Sequence, residues 1–139
     1  MRILCVDPGE KRIGIAISDA TGSFARPLTL IRHTSRSVDA ASIVALAVDN
    51  RAEMILVGQS LDIDGKPNLS GRRAARLAGA IRTQTDIPVQ FWDESDSTQA
   101  AKRIPEERGV KRKRSNEPLD DYAAAIILQS YLDAHENPT

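Results

Sequence analysis

The chain has 139 residues, of which 41% are hydrophobic and 27% charged, with 19 basic and 19 acidic side chains in balance. That length suits a single domain over residues 1–139, and the composition excludes a disordered chain. No stretch approaches the roughly 20 apolar residues of a membrane helix. One cysteine, Cys5, excludes an internal disulfide and a multi-thiolate metal site, and two histidines, His33 and His135, are too few and too far apart for a zinc cage. The opening residues lack the apolar run of a secretory signal, so a reducing, cytoplasmic setting is expected. If a metal acts here its ligands are carboxylates, which favours Mg²⁺ or Mn²⁺.

In chain order, Arg2–Val6 reads as a strand that Asp7-Pro8-Gly9 breaks. Ile13, Ile15 and Ile17 alternate with Gly14, Ala16 and Ser18 in a second strand, bulky on one face and small on the other. Pro27–Ile31 closes a meander of three. From about Ser37 to Asn50, Val38, Ala41, Ala45 and Val48 recur at helical spacing. Met54–Val57 is a buried strand ending at Gly58. From about Ser70 to Gln84, Ala74, Leu77, Ala78 and Ile81 share one helical face, with Arg72, Arg73, Arg76 and Arg82 elsewhere. Pro88–Trp92 is a fifth strand stopping at Asp93. A short helix from about Ser97 to Ile104 leads into a basic loop, and Pro118 to about Ala134 is a long apolar helix with proline in its first turn. Strands alternating with helices predict an α/β fold.

The neutral balance conceals a local pattern. Residues 102–114 hold seven cations (Lys102, Arg103, Arg108, Lys111, Arg112, Lys113, Arg114) against Glu106 and Glu107, a net of +5. Residues 115–139 hold no Lys or Arg and five acids, a net of −5, and Asp93-Glu94-Ser95-Asp96 form an acidic knot upstream. Such a run read alone is a solvated loop. Acids flanking a basic stretch are also what a metal-dependent phosphodiesterase requires, with carboxylates to hold cations and basic groups to neutralise phosphates.

The acids fall at element ends: Asp7 after the first strand, Asp93 and Glu94 after the fifth, Asp120 and Asp121 at the start of the last helix. If crossover helices bring strands one and five side by side, their carboxyl ends converge where open α/β sheets bind ligands. Each acid also has a purely structural explanation: a turn at Asp7, a helix cap at Asp93, a dipole partner at Asp120 or Asp121. Asp7 continues the Ile3, Cys5 alternation and so faces the same side. Asp120 shares a stripe with Ala124, Ile127 and Tyr131, and Asp121 with Ala125, Leu128 and Leu132, so periodicity leaves both open.

The segment Asp7-Pro-Gly-x-Lys11-Arg12-Ile-Gly14-x-Ala16-x-Ser18-Asp19 resembles the opening motif of the YqgF family, also called RuvX, ribonuclease-H-like proteins related to Holliday junction resolvases. Val57-Gly58 with Asp64-Gly65, then Trp92-Asp93-Glu94 with Ser97-Thr98 and Ala100-Ala101, and finally Asp120-x-x-Ala123-Ala124 leading into Ile127-Leu128-Gln129, continue the likeness in order along nearly the whole chain. A DxG alone would also resemble the phosphate loop of actin-like kinases, which need two such domains. The resemblance implies a ribonuclease-H-like, five-stranded mixed sheet, with a three-strand antiparallel meander plus two parallel strands, flanked by helices. It implies a metal-dependent nuclease, acting in 5′-end processing of the pre-16S rRNA, or on four-way DNA junctions, or a nucleic-acid-binding module with impaired catalysis. A junction resolvase would be a homodimer, since it cuts two strands symmetrically.

By the same resemblance, Asp7, Glu94 and Asp120 are the catalytic and metal-holding acids. Asp93 stands beside Glu94 as an alternative and Asp121 as an additional acid, and the metal is Mg²⁺ or Mn²⁺, one ion or two. Lys11 and Arg12 match a basic pair near the phosphate path. Arg108, Lys111, Arg112, Lys113 and Arg114, with the arginines of the second helix, are expected on the nucleic acid. Two positions depart from the family pattern: Ser95 stands where arginine is usual, removing a bidentate phosphate donor, and Ser60 stands where proline is usual.

Overall fold

A computed structural model describes residues 1–94 and 120–135 of the chain. In order these form β1 (Ile3–Pro8), β2 (Arg12–Ser18), β3 (Ala25–Arg32), α1 (Arg36–Asp49), β4 (Met54–Gln59), α2 (Leu69–Arg82), β5 (Val89–Asp93) and α3 (Asp120–Ala134). The sheet runs β3-β2-β1-β4-β5, with β1–β2 and β2–β3 antiparallel and β1–β4 and β4–β5 parallel. This is the expected meander plus two parallel strands. The short helix expected over Ser97–Ile104 and the basic loop lie outside the described residues.

Hydrophobic alternation assigns the layers. Leu4 and Val6 of β1 and Ile13, Ile15 and Ile17 of β2 face α1 and α2, meeting Ala40, Ile43 and Ala47 of the first and Ala74, Leu77, Ala78 and Ile81 of the second. Ile3 and Cys5, with Ala16 of β2, face α3 and meet Ala124, Ala125, Ile127, Leu128 and Leu132. Residues 3–6 of β1 are buried on both faces, as befits a central strand with helices above and below. The small face of β2 is what lets α3 settle closely on the meander.

Caps fix where the helices start. Ser35 Oγ accepts the Val38 N–H at 3.3 Å, and Asn68 Oδ1 accepts the Gly71 N–H at 2.9 Å. Ser60, the residue in place of the family's proline, accepts the Asn68 side-chain N–H at 2.7 Å and so steadies that cap. Among the described residues no helix is long and apolar enough to cross a membrane.

Two expectations are corrected. β1 does not break after Val6: Asp7 pairs with Gly14 and Pro8 with Ile13. The proline is tolerated because it stands at the strand's end, and the chain reverses at Gly9, where a Cβ would collide with the Arg12 carbonyl oxygen. Nor do β1 and β5 lie side by side. The crossover through α1 delivers β4 next to β1, and the crossover through α2 adds β5 outside it.

Candidate active site

Asp7 is half-buried at the carboxyl end of β1 and follows Ile3 and Cys5 onto the α3 face. Both of its lateral neighbours in the sheet are glycines. Gly14 is its antiparallel partner on β2, and Gly58 follows Val57, the parallel partner of Val6, on β4. The sheet positions on either side of Asp7 therefore carry no side chain.

Glu94 stands just past β5, one strand further away. Trp92, two residues earlier, pairs with Gly58 and turns to the α3 side, where its indole N–H donates to Ser130 Oγ at 2.8 Å and its ring meets Tyr131 edge-on at 5.2 Å. With β5 pinned there, the Glu94 side chain reaches back across β4. A Cβ on Gly58 would lie 3.2 Å from Glu94 Oε1 and 3.1 Å from Ile127 Cδ1. Asp7 and Glu94, on strands that β4 separates, thus line one cleft of about 290 Å³, closed on its helical side by Ala123, Ile126 and Ile127.

The two charges are felt underneath. The Cys5 thiol, wholly buried below them, is pushed well above its ordinary value of 9.0 by loss of solvent first, then by Asp7 and Glu94, against a smaller opposing hydrogen bond with the Val6 backbone. It stays neutral in the physiological range. Among the described residues no three acidic, thiol or imidazole groups form a metal cluster. The side chains of Asp120 and Asp121 lie outside what is described. Helical register puts Asp120 at the head of the stripe continued by Ala123 and Ile127, which line the cleft.

Alternation separates the adjacent acids of the fifth strand. Asp93 pairs with Gln59 and follows Val89 and Phe91, which pack toward α1 and α2, whereas Glu94 enters the Asp7 cleft. Lys11 is exposed in the turn between β1 and β2, and Arg12 is exposed at the first position of β2. Arg108, Lys111, Arg112, Lys113, Arg114 and Ser95 lie outside the described residues. Of the arginines on α2, Arg82 is occupied structurally, donating to the Val89 carbonyl at 2.8 Å with its guanidinium over the Phe91 ring. Asp19, from the opening motif, ties the β2–β3 turn through its carboxylate to the Ser23 and Phe24 amides and the Thr21 hydroxyl.

The sequence marks Gly58 as a strand end and as part of the Val57-Gly58 pair, but not as the gap that Glu94 reaches across. Its place between the two acids follows from the strand order, which sets β4 between β1 and β5 and which local periodicity does not encode.

A family model described as RuvX, Holliday junction resolvase, matches residues 1–134. A Myxococcus xanthus protein provisionally named a pre-16S rRNA nuclease is 36% identical over 138 residues, covering 99% of this chain and 91% of the relative. A protein of the same name from Caulobacter sp. strain K31 is 43% identical over 135 residues, covering 94% of this chain and 81% of the relative. Among solved structures, Thermus thermophilus RuvC in complex with a Holliday junction substrate superposes with a TM-score of 0.65 at 18% identity, covering 96% of this chain and 94% of that one. That likeness establishes the ribonuclease-H-like fold.

Proposed function

The chain belongs to the RuvX family, and from that membership we propose that it is a metal-dependent nuclease hydrolysing phosphodiester bonds in 5′-end processing of pre-16S rRNA. The observation that carries the reading is the cleft that Asp7 and Glu94 share across the side-chain-free backbone of Gly58. Its other walls among the described residues are Ala123, Ile126 and Ile127, and in this reading a water attacks the phosphorus. The substrate follows the names of the relatives that align along nearly the whole chain.

The donor set fits a hard divalent cation. Both described acids offer carboxylate oxygens, and the one nearby soft donor, the Cys5 thiol, is buried and protonated. Asp7, Glu94 and Asp120 would hold one or two Mg²⁺ or Mn²⁺ ions, which supply a lowered pKa for the attacking water and stabilise charge on the leaving oxygen. The protein's own groups do the rest. The rigid end of β1 and the pinned end of β5 fix the two carboxylates before substrate arrives. The apolar side of α3 excludes bulk water, which strengthens the field of the acids on the phosphate. Lys11 and Arg12, with Arg108 and the Lys111–Arg114 run, neutralise backbone phosphates without reading bases.

The test is cleavage of a pre-16S rRNA 5′ fragment and of a four-way DNA junction in Mg²⁺, Mn²⁺ or EDTA. Metal-dependent cutting of the RNA is expected. Cutting of the junction alone would transfer the assignment to a resolvase, which would also have to be a dimer. Binding with no cleavage in any metal would leave a nucleic-acid-binding module.

A further inference from the structure

On the opposite face of the sheet, at the same end of β1, lies a second cleft of about 300 Å³. Its walls come from the Pro8–Gly9 turn, the start of α1 and one side of α2. Arg36, Arg73 and Arg76 line it, with His33 at the rim and Ile13 and Leu77 among the apolar lining. Its lining includes one acid, Asp39, and that acid is already engaged: it is buried, His33 Nδ1 contacts one of its oxygens, and the Thr34 N–H donates to the other at 3.0 Å. Arg73 meets Glu10 only at 3.9 Å, with 38% and 78% of the two side chains open to solvent, a weak pair. Among the described residues Arg36 and Arg76 form no ion pair.

Three guanidinium groups around a concavity whose one acid is already hydrogen-bonded within the fold make an oxyanion site, and guanidinium geometry suits phosphate in particular. The carboxylate cleft and this one open on opposite faces, on either side of the end of β1 and the reversal that follows it. We propose that the arginine cleft binds a backbone phosphodiester of the nucleic acid away from the scissile bond, so that the bound strand crosses the Pro8–Gly9 turn from one face of the sheet to the other. The proposal rests on the nuclease reading above and adds a second contact point to it. In this arrangement Lys11, exposed on that turn, and Arg12, exposed at the start of β2, lie along the crossing.

The test compares the wild type with Arg36→Gln/Arg76→Gln, both exposed positions, and with a control of equal charge loss elsewhere, Arg26→Gln/Arg51→Gln. Binding of a labelled pre-16S rRNA fragment is followed against salt in EDTA, cleavage is followed in Mg²⁺, and thermal melting checks the fold. Loss of that one phosphate contact should flatten the slope of log affinity on log salt by roughly 0.7 to 0.9 in the cleft variant. The control should keep the wild-type slope. A cleft variant that keeps that slope while the wild type cleaves overturns the proposal and leaves the nuclease reading standing. A wild type that neither binds nor cleaves overturns the nuclease reading itself. A calorimetric titration with pyrophosphate separates the remaining source of phosphate: binding lost in the cleft variant, with the RNA slope unchanged, would assign the cleft to a free phosphate ligand and overturn the backbone contact.

Discussion

The Glu94 carboxylate lies over the backbone of Gly58, with Oε1 3.2 Å from where a Cβ on that glycine would stand. Glu94 reaches the Asp7 cleft across an intervening strand because position 58 carries nothing. Gly58→Ala should therefore displace Glu94 and press on Ile127. A shift of about 1 Å at a positioned group lowers rate by roughly 100-fold, whereas one excess methyl in a packed site lowers stability by only about 1–3 kcal/mol. Cleavage rate and urea unfolding, measured on the same preparation, should separate in that way.

Trp92, the chain's one tryptophan, is held between the cleft and α3 by its bond to Ser130 and lies two residues from Glu94. Its fluorescence should report cation binding without any substrate present. Mn²⁺ should quench the emission saturably in the wild type, and Asp7→Asn should weaken the apparent affinity by at least tenfold. Identical titrations in both proteins would place the cation elsewhere.

The buried Cys5 thiol gives the fold a pH dependence whose sign follows from its raised pKa. Below the ordinary value of 9.0 the thiol is neutral folded and unfolded, and its contribution is fully present. Above 9.0 the unfolded chain releases a proton that the folded chain retains, so stability falls toward the folded pKa, at a limiting slope of about 1.4 kcal/mol per pH unit. Denaturant unfolding between pH 8 and pH 10 should show this decline, and Cys5→Ala should show a shallower one. Equal slopes would remove Cys5 as the cause.

Gln129 is buried in α3 and stitches that helix to the meander. Its Oε1 accepts the Ala25 N–H at 2.9 Å, and its Nε2 donates to the Ser23 carbonyl at 3.0 Å. Gln129→Leu keeps the volume and orphans the Ala25 amide, so it should lower stability by about 2 kcal/mol. Metal-dependent quenching of Trp92 should persist at temperatures where the variant is folded. A loss below about 0.5 kcal/mol would show that the amide finds water instead.

Much of this was legible from the amino acids. Ile13, Ile15 and Ile17 against Gly14, Ala16 and Ser18 specify a strand and its thin face, and the Ile3, Cys5, Asp7 alternation sends Asp7 to the side where α3 packs. Strand order was not legible, because β4 enters between β1 and β5 through a long-range crossover that local periodicity does not encode. That ordering is what makes Gly58 necessary. Asp93 and Glu94 separate once β5 is anchored at Val89, since Asp93 then falls on the Phe91 side. Asp120 and Asp121 stayed open for a physical reason: Ala124, Ala125, Ile127 and Leu128 are all buried, so α3 presents a broad apolar surface and no single stripe marks its inner face. The arginine cleft was invisible because Arg36 and Arg76 belong to different helices, brought together by packing alone.

The most direct test of the account is single-turnover cleavage of the pre-16S rRNA fragment in Mg²⁺ by the wild type, Asp7→Asn and Glu94→Gln, with RNA binding measured alongside in EDTA. Asp7 and Glu94 line one cleft and are assigned to one cation site, so each variant should lose at least about 1000-fold in rate, the scale on which removal of a single catalytic group acts. RNA binding should be retained or tighter, since each change removes a negative charge facing phosphate. Cleavage that survives both substitutions would contradict the assignment of the reaction to this cleft.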